Sequence, residues 1–182
     1  MAPKVRNTLG TLPELREPWI DKISDLVGGV PPKLPPWRLI NHQINLIDPN
    51  KWINYHLLKC LDALKEELAE KISRYTSTGW WVPATAMQAM PMLCVLKKNR
   101  KLHMVFNLRM QNENTEQDVS LFPDQDTIWH NVAHAMYRSK LDMSEAYKQI
   151  CVCDEDVPKK VFVTIFGTFV SWVMQQGDCN TP

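Results

Sequence analysis

Apolar and polar residues alternate in several short stretches of the chain, a pattern typical of strands that bury one face. The apolar runs Met92–Leu96 and Leu102–Phe106 flank a polar segment and together predict a β-hairpin. Val161–Ile165 and Thr168–Val173 predict a second hairpin. Each hairpin would pair its strands antiparallel.

Helical spacing of apolar residues appears in two places. Leu57–Tyr75 carries one apolar stripe, formed by Leu61, Leu64, Leu68 and Ile72. A second helix is predicted to begin at Asp124 or Asp126 and to reach about Met136. Its inward residues would be Ile128, Val132 and Ala135. Hairpins and helices together predict an α+β fold, an antiparallel sheet with flanking helices.

A third stretch of alternation leads to a candidate for chemistry. Tyr137–Met143 predicts a strand, and Tyr147–Cys153 resumes an extended run after a break at residues 144–146. Asp142 would therefore lie at a strand end, where a carboxylate can hold a hard divalent cation. The alternative is a solvated acid that caps the following turn.

Proline divides the chain. Residues 1–36 hold seven of the 13 prolines and predict an arm that precedes a folded region, residues 37–182. Within the arm, Glu17–Val27 predicts a short amphipathic helix, with Trp19 and Ile20 inward. Alternation in Arg38–Ile47 predicts a strand at the start of the folded region.

Composition narrows the class of protein. A hydrophobic fraction of 45% is enough for a packed core. Because the net charge is only +1, any contact with nucleic acid must depend on local patches of basic residues. The five cysteines are odd in number and include no C-x-x-C pair, so we expect small apolar side chains in a reducing compartment. No apolar segment suits a membrane span or a secretory signal, so we expect a soluble, cytoplasmic or nuclear protein.

One local patch is basic. Between Lys97 and Arg109 the chain has three lysines and two arginines but no acidic residue. Lys97, Lys98, Arg100 and Lys101 lie at the tip of the first predicted hairpin, where they can contact phosphate oxygens. A solvated turn is the alternative. The acidic run 154–156 and the pair His130 and His134 predict solvated surface rather than metal sites.

Four blocks resemble one enzyme family in the correct order. They are 92–112 (MLCVLKKNRKLHMVFNLRMQN), 139–150 (SKLDMSEAYKQI), 159–164 (KKVFVT) and 174–182 (MQQGDCNTP). They resemble the reverse transcriptase of gypsy-like long-terminal-repeat retrotransposons, over residues 34–182. The resemblance implies the fingers and a partial palm of a right-hand polymerase.

The resemblance also implies roles for individual residues. Asp142 would be a catalytic residue that ligates Mg²⁺ or Mn²⁺. Lys97, Lys98, Arg109, Ala146, Tyr147 and Gln176 would bind the incoming deoxynucleoside triphosphate or brace its site, and Arg100 and Lys101 would contact nucleic acid. The implied partners are an RNA template and a DNA primer.

The chain departs from the family at important positions. The family has an arginine in place of His103 and a glycine in place of Arg100, and its tyrosine-x-aspartate-aspartate hairpin has no counterpart in the 182 residues. Since that hairpin supplies two of three metal-binding carboxylates, we expect a polymerase fragment that is inactive unless a second chain supplies the rest. The alternatives are a noncatalytic nucleic-acid-binding module, or a protein-interaction module that uses the proline-rich arm and an open sheet edge.

Overall fold

The computed structural model describes residues 12–24, 29, 31–52, 59–98, 100–119, 123–136, 138, 140 and 142–180. The chain divides into two compact units, residues 1–31 and 32–182. In the first unit, helix α1 spans Leu12–Lys22 and accommodates Pro18. It begins five residues before the predicted start at Glu17, and Trp19 and Ile20 are exposed, not inward as predicted. The predicted end at Val27 lies outside the described residues.

Helix α2, Asp62–Ser77, begins the core of the second unit. Leu64, Leu68 and Ile72 are buried as their spacing predicts, whereas Leu61 precedes the helix and is exposed. The helix ends before Gly79, whose φ of +75° is a conformation that favours glycine. The predicted first turn, residues 57 and 58, lies outside the described residues.

Five strands form one sheet in the order β1-β5-β4-β2-β3. Their bounds are Trp81–Pro83 for β1, Met90–Leu96 for β2, Leu102–Phe106 for β3, Val161–Thr164 for β4 and Gly167–Ser171 for β5. Both predicted hairpins are present, as β2–β3 and β4–β5. The sheet is mixed rather than antiparallel throughout, because β2 pairs with β4 in parallel through Met90 and Phe162.

Aromatic rings join α2 to this sheet. The Tyr75 ring lies 4.7 Å from that of Trp81, which in turn lies 4.7 Å from Phe162. Phe106 of β3 completes the cluster, 4.9 Å from Phe162. Trp80 and Trp81 are almost fully buried, so both tryptophans belong to the core.

Helix α2 also covers part of the outer edge of β3. Glu67 accepts a hydrogen bond from the Leu102 backbone N–H at 2.8 Å, and Lys71 donates one to the Leu102 carbonyl at 3.0 Å. Glu67 and Lys71 form an ion pair at 3.0 Å. Both backbone groups of Leu102 are therefore occupied by side chains, which closes this position to a further strand.

Three predicted elements differ from the structure. Arg38–Ile47 contributes single bridges at His42 and Leu46 rather than a strand. Of Tyr137–Met143, the described residues 138, 140, 142 and 143 have no strand conformation, and the others lie outside the described residues. Tyr147–Cys153 begins instead within a 3₁₀ helix, Ala146–Gln149, because the chain turns at Glu145 into the left-handed region.

Two short helices complete the second unit. Helix α3, Arg109–Asn112, follows β3. Helix α4, Gln125–His134, is capped by Asp124, whose side chain accepts from the Asp126 N–H at 3.2 Å. Ile128, Val132 and Ala135 are exposed rather than inward, and no residue of α4 is buried. Among the described residues, no helix combines the length and apolarity needed to cross a membrane.

Candidate functional site

An open cleft of about 880 Å³ lies where four distant segments of the second unit meet. Helix α2 contributes Lys71 and Tyr75, and the hairpin contributes Lys97 together with β3. The other two walls are residues 142–148, around the 3₁₀ helix, and residues 171–177, which follow β5. The sheet and α2 thus bring together residues that are up to about a hundred positions apart in the sequence.

The cleft gathers five of the predicted site residues: Lys97, Asp142, Ala146, Tyr147 and Gln176. Lys98, Arg100 and Lys101 do not line it; they are exposed at the hairpin turn. Arg109 lines a separate groove of about 300 Å³ and donates from Nε to Asn107 at 3.0 Å. The predicted site is therefore a cleft with a basic turn and a second groove beside it.

Glu145 organises one wall of the cleft. Its φ of +51° is unusual for a residue with a side chain. Oε1 accepts hydrogen bonds from Arg74 at 2.7 Å, Tyr75 at 2.6 Å and Lys148 at 3.3 Å. These contacts fasten the 3₁₀ helix with Ala146 and Tyr147 to the end of α2.

The pKa values at this wall follow from burial and hydrogen bonding. Burial raises the pKa of Glu145, but the hydrogen bond from Tyr75 and the cations of Lys148 and Arg74 outweigh that effect and hold it below its usual value. Burial and the Glu145 carboxylate raise the pKa of Tyr75. Burial also lowers the pKa of Lys148, although Glu145 opposes it. The wall therefore holds a carboxylate and a neutral phenol at neutral pH.

The sequence patterns do not predict these contacts. Glu70 lies four positions before Arg74 on α2, the spacing of a helical ion pair, yet Arg74 pairs with Glu145. The two partners are 71 positions apart, and no spacing rule connects residues across such a distance. No residue type predicted the left-handed turn at Glu145 either, since glycine and asparagine are the residues that indicate such a turn.

The described residues do not fit a two-metal site. No three His, Cys, Asp or Glu side chains among them lie close enough together to hold a metal ion. Asp142 is exposed, and the neighbouring Glu145 carboxylate is occupied by three donors. Two divalent ions need carboxylates from more than one direction, and this part of the chain presents Asp142 from one side only.

The loop that carries Gln176 is anchored from two directions. Asn112 of α3 donates to the Gly177 carbonyl at 2.8 Å and accepts from the Cys179 N–H at 3.0 Å. Asp178 accepts from the Gln175 N–H at 2.9 Å and forms a buried ion pair with Lys160, whose side chain is fully buried. Asn112, the last residue of the block 92–112, thus positions a loop of the cleft.

Residues 42–44 pack against the same region. His42 Nε2 lies 3.6 Å from Asp178 Oδ2, and burial lowers the pKa of His42. Asp156 accepts from the Ile44 N–H at 2.9 Å and pairs with Lys159. Asp156 is therefore buried, contrary to the prediction of a solvated acidic turn, whereas Asp154 and Glu155 are exposed as predicted.

Several solved structures share this arrangement of elements. A prototype foamy virus protease–reverse transcriptase superposes with a TM-score of 0.74 over 91% of the chain, at 14% identity. The chain has a reverse-transcriptase fold. Foamy virus protease–reverse transcriptases with double-stranded DNA and with an RNA/DNA hybrid both superpose with TM-scores of 0.69, over 95% and 93% of the chain, at 17% and 16% identity.

Sequence comparison gives a narrower match. Polyprotein P3 of Commelina yellow mottle virus is 34% identical over 86 residues, which is 47% of this chain and 5% of the polyprotein. No protein-family model matches the chain. The chain spans 22% to 31% of the three solved chains and about a twentieth of the polyprotein.

Proposed function

We propose that these 182 residues form the fingers and part of the palm of an RNA-directed DNA polymerase of retroelement origin, related to gypsy-like retrotransposons. The observation that carries the proposal is the cleft. Lys97, Asp142, Ala146, Tyr147 and Gln176 come from three separate sequence blocks, and all of them line it. A common ancestral fold does not by itself determine which amino acids line the cleft.

Each lining residue has a role that its chemistry supports. Lys97 neutralises phosphate oxygens of the nucleotide. Ala146 begins the 3₁₀ helix, where a backbone N–H has no partner within the helix and can donate to a phosphate. Tyr147 lies under the sugar, and Gln176 contacts the nucleotide. Asp142 is the one catalytic carboxylate that this part of the polymerase contributes, toward Mg²⁺ or Mn²⁺.

Template and primer bind outside the cleft, at the basic turn and the second groove. Lys98, which the resemblance assigns to the nucleotide, lies outside the cleft with Arg100 and Lys101. All three are exposed and contact phosphates without reading sequence. Arg109 lines the groove and braces the fingers through Asn107. The solved foamy virus enzymes that contain double-stranded DNA and an RNA/DNA hybrid support nucleic acid as the partner.

Polymerisation requires carboxylates that these residues do not supply. We therefore propose that these residues bind nucleic acid and that polymerisation also requires the remaining palm and the thumb. The cellular location that we propose is the cytoplasm or nucleus, as expected from its cysteines. The domain boundary that we propose, residue 36, lies five residues after the division between the two compact units at residue 31.

Binding of a fluorescent RNA/DNA hybrid, titrated at several salt concentrations, tests the proposal. Lys98→Ala combined with Arg100→Ala should weaken binding and reduce the salt slope by about one unit per lost phosphate contact. Lys65→Ala is the matched control, since Lys65 is exposed on α2 and does not line the cleft. A hybrid affinity that changes neither with salt concentration nor with the hairpin substitutions would overturn the proposal.

Primer extension separates a polymerase part from a noncatalytic binding module. The chain alone should give no extension, and a supplied palm–thumb polypeptide should restore it. Asp142→Asn should abolish the restored activity while hybrid binding stays unchanged. Restored extension that tolerates Asp142→Asn would show that Asp142 is not catalytic.

A further inference from the structure

A further cavity lies in the second unit, apart from the cleft. It encloses about 260 Å³, and none of its lining residues lines the cleft or the groove at Arg109. Its lining residues come from four segments, within residues 46–51, 86–90, 111–114 and 158–161. The cavity is therefore a separate space that exists only because four distant parts of the chain pack together.

Hydrogen bonds hold the walls of this cavity together. Asn114 accepts from the Asp48 N–H at 3.1 Å and donates to the Asp48 carbonyl at 2.8 Å. Gln111 donates from Nε2 to the Lys159 carbonyl at 3.0 Å. Strand β2 pairs with β4 at Met90, next to the same space. Because the walls are joined to one another, a ligand does not have to order them when it binds.

Apolar side chains form most of the cavity wall. They belong to Leu46, Pro49, Met87, Met90, Pro158 and Val161. An apolar cavity of about 150 Å³ can hold a benzene molecule, so a cavity of about 260 Å³ suits one substituted ring. Met87 is exposed, which leaves the cavity open to solvent. The apolar part of a fitting ligand is therefore a single ring.

Gln111 adds one polar group to the wall. The residue is only 5% exposed, and its Oε1 has no hydrogen-bond partner among the described residues. Gln111 also borders a crevice beside His42, but that crevice has no room for a water molecule, so a ligand reaches the amide from the cavity. A buried acceptor without a partner is costly, and a donor on the ligand removes that cost.

The charge of the lining favours an anion. Two lysines and no acidic residue line the cavity among the residues that the structure describes. Lys159 is already paired with Asp156, which lies outside the lining. Lys51 is half-buried, and its ammonium has no ion pair or side-chain hydrogen bond within the described chain. The charge of Lys51 is therefore available to an anionic group on the ligand.

We propose that this cavity binds a small aromatic anion that carries an amine donor. Its ring lies among the apolar side chains, its amine donates to Gln111 Oε1, and its anionic group pairs with Lys51. An unpaired cytosine of a single strand offers similar groups, but the cavity is smaller than the roughly 300 Å³ at which pockets for larger ligands begin, which favours the free small molecule. This site goes beyond the proposed polymerase function, because it shares no residue with the cleft.

Calorimetric titration of the full chain with 2-, 3- and 4-aminobenzoate tests the chemistry of the site. These probes hold the amine and the carboxylate at three different separations, and one of them should bind with a dissociation constant on the order of 100 µM. Benzoate lacks the donor and aniline lacks the anion, so each should bind about 5-fold more weakly than the best isomer. If no isomer binds at millimolar concentration, or if benzoate binds as tightly as the best isomer, the proposal is wrong.

Variants test the position of the site. Lys51→Met should weaken binding of the best aminobenzoate about 5-fold and leave that of aniline unchanged. Ala86 lines the cavity and is exposed, so Ala86→Phe should block the cavity without changing the melting temperature. Lys65→Met is the control, because Lys65 lies outside the lining. Probe binding that survives both Lys51→Met and Ala86→Phe, or that single-stranded oligo(dC) displaces, would overturn the proposal.

Discussion

The buried ion pair between Lys160 and Asp178 gives the sharpest test of how the cleft is held together. The Lys160 side chain is fully buried, and burial lowers its pKa even though Asp178 opposes the shift. Lys160→Met leaves the Asp178 carboxylate buried, without its cation, beside the loop that carries Gln176. Asp178→Asn makes the reverse change and retains an oxygen that accepts from the Gln175 N–H.

The magnitude follows from desolvation. Removal of one partner from a buried pair costs about 3–5 kcal/mol because the other charge remains buried. At about 2–4 °C per kcal/mol for a chain of this size, Lys160→Met should lower the melting temperature by roughly 10 °C. The double variant should cost less than either single variant, since neither charge remains buried.

Urea denaturation at pH 7, followed by tryptophan fluorescence, measures these free energies. Lys65→Met is the control, because its ion pair with Asp62 is exposed and its loss should be undetectable. Single variants that each cost less than about 1 kcal/mol, or a double variant that equals their sum, would refute the reasoning.

Three further predictions concern pH and the hairpin. Because the pKa of Glu145 is lowered in the folded protein, its carboxylate stabilises the fold above the unfolded value of 4.5, and this contribution disappears as pH falls through the folded pKa. The free energy of unfolding should therefore fall less steeply with acid for Glu145→Gln than for the wild type, and equal slopes would contradict this. Because the folded pKa of His42 is also lowered, stability should fall as pH drops below 6.5, and His42→Gln should reduce that loss in a urea series at pH 7 and 5.5. Arg100 has a φ of +61°, so Arg100→Gly should raise the free energy of unfolding by about 0.5–1 kcal/mol, whereas Arg100→Ala should not. Both variants remove the Arg100 charge and should therefore weaken hybrid binding equally.

The sequence predicted the elements whose patterns are local. The two hairpins and the buried stripe of α2 depend on alternation and helical spacing within a few residues, and both patterns are visible in one stretch of chain. Resemblance over short blocks also selected Lys97, Asp142, Ala146, Tyr147 and Gln176, which the fold brings to one cleft.

The tertiary structure decided which neighbours each side chain has. Glu145 is held by residues of α2, and Asp156 is buried against residue 44. Each partner is at least 70 positions away, so the contact exists only after the sheet and α2 have packed. Sequence alone determined the two hairpins, the buried stripe of α2 and the chemical groups, whereas burial and charge pairing arose from packing, because desolvation and Coulomb forces depend on distance in space.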